Sequence, residues 1–212
     1  MEHAQSKMKT ETGKVMDVAT ATSEEVVLRA GLYRLVAHFL SAPPTDGALA
    51  AAAAIEAEPG TPLGGSLAAL AAAAGLTSAA AEADAYQTLF IGLGRGLFVP
   101  YGSYYLTGFL HEKPLARLRH DMAELGIERE EGVSEPEDHI SSVLEIMAGL
   151  VDSTLADVTE QQQRRFFEAH VATWAGHFFS DLAANEQSRF YAALGEVGAT
   201  FLGVEERASR MT

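Results

Sequence analysis

Residues 134–151 read Ser134-Glu-Pro-Glu-Asp-His-Ile-Ser-Ser-Val-Leu-Glu-Ile-Met-Ala-Gly-Leu-Val151. Ile140, Val143, Leu144, Met147 and Val151 recur at the spacing that lines one face of an α-helix. Ser134 with Glu137 three residues later fits a capping box, and Pro136 suits a first helical turn, so the pattern predicts a helix starting just after Ser134. A carboxylate at Asp138 is favoured there by the helix dipole. Local physics gives no such reason for His139, which sets that residue apart.

The same periodicity extends in both directions. Upstream, Thr22-Ser-Glu-Glu25 forms a second capping-box pattern, followed by Leu28, Leu32, Leu35, Val36 and Phe39, with Pro43-Pro44 ending the run. Alanine-rich helices are expected over 46–58 and 66–74, separated by Glu58-Pro-Gly-Thr-Pro-Leu-Gly-Gly65. Another is expected over 78–91, a short one around 103–110, and one from Pro114 to Gly126. Downstream, one long helix carries Phe166, Phe167, His170, Val171, Trp174, His177 and Phe178; a last one carries Phe190, Leu194, Val197 and Phe201. Alternating strands with hairpin dipeptides are absent from the pattern. The expected fold is all-α, one helical domain over 23–203, with a disordered segment over 1–22 and a tail over 204–212.

Composition narrows the function. The 212 residues hold 29 acidic and 15 Lys or Arg side chains, a net charge of −14, and no cysteine. Disulfides, thiolate metal sites and thiol nucleophiles are therefore excluded. The negative charge disfavours nucleic acid and anionic lipid and favours a cationic partner. Residues 1–22 lack the apolar core of a signal peptide, and the longest apolar stretch, Leu67 to Leu76, is too short to span a membrane. A cytoplasmic protein is expected, with no stable membrane insertion. Between Asp121 and Glu145 lie nine acidic residues and a single basic one, Arg129. That run is either a solvated face or a wall suited to a peptide carrying arginines beside an apolar stretch.

Several chemistries are weakly supported. Gly92-Leu-Gly94-Arg-Gly96 lacks the Lys-Ser or Lys-Thr of a phosphate loop and reads as a helix-ending turn. His170 and His177 share a helical face among aromatic residues and read as core histidines, and paired Glu-x-x-His units are missing. Ser103 has no nucleophile elbow and stands where a helix begins. No metal or other cofactor is expected. The competing reading is a small helical metal protein or enzyme using His139, Glu145, His170 and His177.

Tyr86-Gln-Thr-Leu-Phe90, Val99-Pro-Tyr-Gly-Ser-Tyr-Tyr105 and Glu135-Pro-Glu-Asp-His139 with Leu144-Glu-Ile-Met147 together resemble the TorD/DmsD/NarJ group of redox-enzyme maturation chaperones. Trp174 and Phe190-Tyr-Ala-Ala-Leu194 fit the same pattern. The resemblance implies an all-helical, non-catalytic protein. Its partner would be a molybdopterin oxidoreductase catalytic subunit, held by its twin-arginine leader or N-terminal region during cofactor insertion. Carried over by motif, Leu89, Phe90, Pro100, Tyr101 and Ser103 line a peptide groove, Asp138 and His139 form its polar end, and Glu135 and Pro136 shape the turn. Gly102 departs from the glutamate common at that position in the group. A monomer or a domain-swapped dimer is expected, since long Gly/Pro loops permit helix exchange.

Overall fold

The computed structural model describes residues 23–129, 132 and 135–211. The segment expected to be disordered (1–22), the Thr22 cap, Ser134 and Thr212 lie outside the described residues. The described residues are all-helical, as expected, with no strand beyond one isolated antiparallel bridge between Tyr101 and His139.

Helix α1 covers residues 23–41 and stops short of Pro43-Pro44. Then follow α2 (Asp46–Ala53), α3 (Pro62–Ala74) and α4 (Ala79–Tyr86), the first two capped by Thr45 and Thr61 and the third by Ser78. Helix α4 loosens into a π-helical turn, Gln87–Ile91, closed by Gly92. At φ 65° a side chain at Gly92 would meet the Arg95 carbonyl oxygen at 2.1 Å, so the glycine is required for this turn. Helices α5 (Gly102–Thr107) and α6 (Lys113–Glu124) precede the central α7 (Ile140–Val151). Ten of the twelve α7 residues are buried, which places this helix in the core.

The start of α7 corrects the sequence reading. The helix begins at Ile140, not after Ser134, and His139 is its cap: the His139 ring accepts from the Ser141 backbone N–H. Pro136, Glu137 and Asp138 instead form a turn in which the His139 N–H donates to the Pro136 carbonyl at 3.1 Å. The long helix expected across Phe166–Phe178 is in fact two, α8 (Glu160–His170) and α9 (Ala175–Ala183). Trp174 turns back at the break and its indole N–H donates to the His170 carbonyl at 2.8 Å, satisfying a helix-end acceptor. The last helix, α10 (Arg189–Ser209), runs through most of the segment expected as a tail. The reason is Glu205, which is 5% exposed and accepts from Tyr33 at 2.6 Å and from Arg29 at 2.7–2.8 Å, tying α10 to α1.

One contiguous apolar cluster runs from α1 to α10 and includes Tyr33, Leu40, Leu70, Met147, Phe178, Phe190 and Leu194. A second polar tie, Glu82 accepting from Ser188 at 2.6 Å and Thr77 at 2.7 Å, fixes α4 to the start of α10. Among the described residues no single helix is long and apolar enough to cross a membrane; only the pair Pro62–Ala74 and Ala79–Ile91, bent by 111°, passes that test together.

Candidate functional site

Two segments distant in sequence meet beside the start of α7. Ile140 N–H donates to the Pro100 carbonyl at 2.8 Å and Gly102 N–H to the Asp138 carbonyl at 2.9 Å, bracketing the Tyr101–His139 bridge. This crossing forms a thin septum, and the alternation of extended backbone sends neighbouring residues to opposite sides. Tyr101 and His139 line a cavity of about 220 Å³, whereas Gly102 and Asp138 line a separate cleft of about 860 Å³ on the other side.

The smaller cavity is walled by Tyr86, Phe90, Ile91 and Pro100, with Tyr101, Glu135, His139, Ser41, Ser141 and Ser142 as its polar lining. Its aromatic floor is continuous: Phe90 packs 4.9 Å from Tyr86 and edge-on at 5.5 Å from Tyr191, ring centre to ring centre. The Tyr101 ring stands edge-on to His139 at 5.0 Å, and its hydroxyl donates to Glu135. Burial, then that carboxylate, pushes the Tyr101 hydroxyl well above its ordinary pKa, so it remains a donor. For His139, burial lowers the pKa against the opposing pull of Glu135 and Asp138. The Ser141 N–H fixes Nδ1 as acceptor, the Ser141 hydroxyl lies 2.7 Å away, and the neutral ring carries its proton on Nε2.

Five of the expected groove residues thus gather at one cavity: Phe90, Pro100, Tyr101, Glu135 and His139. Pro136 is half-buried in the adjoining turn. The other three are placed differently. Leu89 is wholly buried in the core, because the π turn rotates it away from Phe90 and Ile91. Ser103 is also wholly buried, on the far side of the septum, where its N–H donates to Asp138 at 2.8 Å and caps α5 from another segment. Asp138, 4% exposed, faces the larger cleft. Gly102 has its own reason here: a Cβ would stand 3.0–3.1 Å from the Trp174 indole, so the wall leaves little room for a longer side chain.

Sequence reasoning missed Ser41, Tyr86, Ile91, Ser141 and Ser142 as wall residues. Helical periodicity alone could have flagged Ser141 and Ser142 as polar residues in the first turn of a buried helix. Of the acidic run, Glu137 is held internally: burial pushes its pKa up, but Arg119 at 2.8 Å and Arg129 outweigh this and keep it below the ordinary value. His170 is buried, as expected, and lies 2.6 Å from Asp121, while His177 is exposed. The four donors of the metal reading are not gathered: among the described residues the set within ligand reach of one another is His120, Asp121 and Glu124, on the exposed side of α6.

Residues 56–180 match the model of a protein family described as nitrate reductase delta subunit. The chain is 34% identical over 113 residues to a probable Tat proofreading chaperone DmsD of Haemophilus influenzae, covering 52% of this chain and 53% of that protein. It is 32% identical over 116 residues to the Tat proofreading chaperone DmsD of Salmonella typhimurium (54% and 55% covered). It is 27% identical over 125 residues to the chaperone protein TorD of Aliivibrio fischeri (55% and 58%). The chain spans somewhat more than half the length of these relatives.

Proposed function

The chain belongs to the nitrate reductase delta subunit family, and from that premise we propose that it is a chaperone, not an enzyme, acting on a molybdopterin oxidoreductase subunit. Its ligand is the leader or N-terminal region of that subunit, bound in the cytoplasm before cofactor insertion and assembly are complete. The observation that carries this reading is the cavity at the septum: an aromatic floor, an acidic side, and room for one or two side chains of an extended segment. The names of the relatives, Tat proofreading chaperone and chaperone protein, support the same reading.

Apolar side chains of the client lie against Phe90, Pro100 and Tyr101, and its basic residues approach Glu135. Exposed ion pairs contribute only about 0–1 kcal/mol each, so the apolar contacts supply most of the affinity. Neutral His139 keeps the septum in register and adds no positive charge to a site that receives cations. Isothermal titration with a synthetic leader peptide tests the proposal. Tyr101→Ala is expected to weaken binding more than Glu135→Gln; equal or reversed losses contradict a groove dominated by apolar contact, and no binding to the unaltered protein contradicts the function.

A further inference from the structure

Away from the septum cavity, the surface is unevenly furnished. Of the twelve large apolar side chains that stand exposed among the described residues, six fall between positions 91 and 110. Ile91 belongs to the septum cavity; the other five are Leu93, Leu97, Leu106, Phe109 and Leu110. Charge is uneven in the same place. From Ile91 to His120 there are four basic residues, Arg95, Lys113, Arg117 and Arg119, and one acid, Glu112, on a chain of net charge −14.

The local backbone makes these side chains project and keeps them together. Gly92 and Gly94, at φ 65° and 106°, turn the chain outward after the π turn, and Leu93 between them is fully exposed. Arg95 lies over the Tyr104 ring at 5.3 Å, which holds this loop against α5. At the end of α5, Gly108 closes the helix at φ 80°, and the Phe109 N–H donates to the Thr107 hydroxyl at 3.2 Å, leaving Phe109 69% exposed. His111, at φ 60°, turns the chain again into α6. Lys113 and Arg117 follow one turn apart on α6 and line the larger cleft with Leu106. Both are exposed, and among the described residues neither has a carboxylate within ion-pair reach.

Leu93, Leu97, Phe109 and Leu110 line neither the septum cavity nor the larger cleft; they are knobs, not walls. A folded partner needs a matching hole for each knob, whereas a bilayer interface accepts projecting apolar side chains in any arrangement. Cations beside such tips meet anionic headgroups while their stems lie in the apolar layer. The acidic bulk of the chain opposes this contact only at short range, because charges more than ~8 Å from the headgroups are screened at physiological ionic strength.

We propose that the 92–97 loop, the 108–110 turn and the start of α6 form a reversible docking patch for an anionic lipid surface, separate from the peptide groove. Vesicle co-sedimentation tests it. The unaltered protein is expected to pellet at low salt with vesicles of phosphatidylglycerol and phosphatidylcholine in equal parts, and to stay in solution with phosphatidylcholine alone. Lys113→Gln combined with Arg117→Gln is expected to lower the partition coefficient about thirtyfold, since each cation at the surface contributes about fivefold. Phe109→Ser is expected to lower it about tenfold, through the apolar area no longer buried. Leu76→Ser, at a position 84% exposed but outside the patch, is expected to change nothing. The substituted side chains are all exposed, so folding is not at stake. Equal pelleting with both vesicle types, or undiminished pelleting of the Phe109 or the double variant, overturns the proposal. So does failure to pellet with the anionic vesicles, the result expected if the patch meets an acidic protein surface instead. None of these outcomes bears on peptide binding by the groove.

Discussion

Two buried polar clusters in this molecule are built to opposite standards. Between α1 and α10, Glu205 takes the Tyr33 hydroxyl at 2.6 Å and Arg29 at 2.7–2.8 Å, so the carboxylate's oxygens are all engaged. At the septum, the Asp138 Oδ2 takes the Ser103 N–H, while Asp138 Oδ1 and the Ser103 hydroxyl have no partner. The third unpartnered buried side-chain atom among the described residues is the Tyr191 hydroxyl, in the ring cluster beneath Phe90. Two of the three sit in the septum and the third lies under Phe90. Unsatisfied buried groups are costly, and folds tolerate them where function demands a surface shaped for something else. The α1–α10 cluster pairs its carboxylate fully; the septum leaves buried polar atoms unpaired.

The largest expected effect of breaking this contrast is at the satisfied cluster. Glu205→Ala strands Arg29 and Tyr33 beside a buried gap and should cost about 3 kcal/mol in urea unfolding, with no direct effect on the groove. At the septum the loss should be smaller. Asp138→Ala removes the cap of α5 but also an uncompensated oxygen, giving about 1–2 kcal/mol. Asp138→Asn keeps an acceptor for the Ser103 N–H, so it should cost less than the Ala variant by the same measurement. An Asn variant as damaging as the Ala variant would contradict the claim that Oδ1 is unpaid for in the folded state.

The smallest effect is one of pH. The folded state holds the His139 pKa below its unfolded value near 6.5, so in the window beneath that value the unfolded chain binds more protons. Stability is thus complete above pH 6.5 and declines as the pH falls toward the depressed value. The imidazolium can no longer accept from Ser141, which loosens the start of α7. Urea unfolding between pH 5 and 7.5 should show this slope, and His139→Asn, which retains a capping acceptor, should remove its share.

The helical class and most element positions were legible because amphipathic spacing and caps are local properties. Residues 140–151, 113–124 and the aromatic positions of α10 are where periodicity places them. What periodicity hid was tertiary in origin. The break after His170 depends on Trp174 folding back to bond a carbonyl and pack beside Gly102, and the spacing of Phe166 to Phe178 is unaffected by it. The true start of α7 depends on residues 138–140 pairing with 100–103. His139, which had no local explanation, turns out to be a helix cap and a septum residue together. Motif resemblance named nine residues, five of which line one cavity. It could not tell Phe90 from Leu89, because the π turn that separates them leaves no mark in hydrophobic spacing, nor Tyr101 from Ser103, because Ser103 already belongs to α5 and is buried where its N–H meets the Asp138 carboxylate of a distant segment.

A crosslinking measurement tests the central claim most directly. Ile91 lines the septum cavity and is 51% exposed, whereas Leu76 is 84% exposed and is not a wall residue of that cavity. With p-benzoyl-phenylalanine introduced as Ile91→p-benzoyl-phenylalanine or Leu76→p-benzoyl-phenylalanine, irradiation in the presence of a leader peptide should yield a covalent adduct at position 91 and none at position 76. Equal adducts at both positions, or an adduct at 76 alone, would contradict the assignment of the groove.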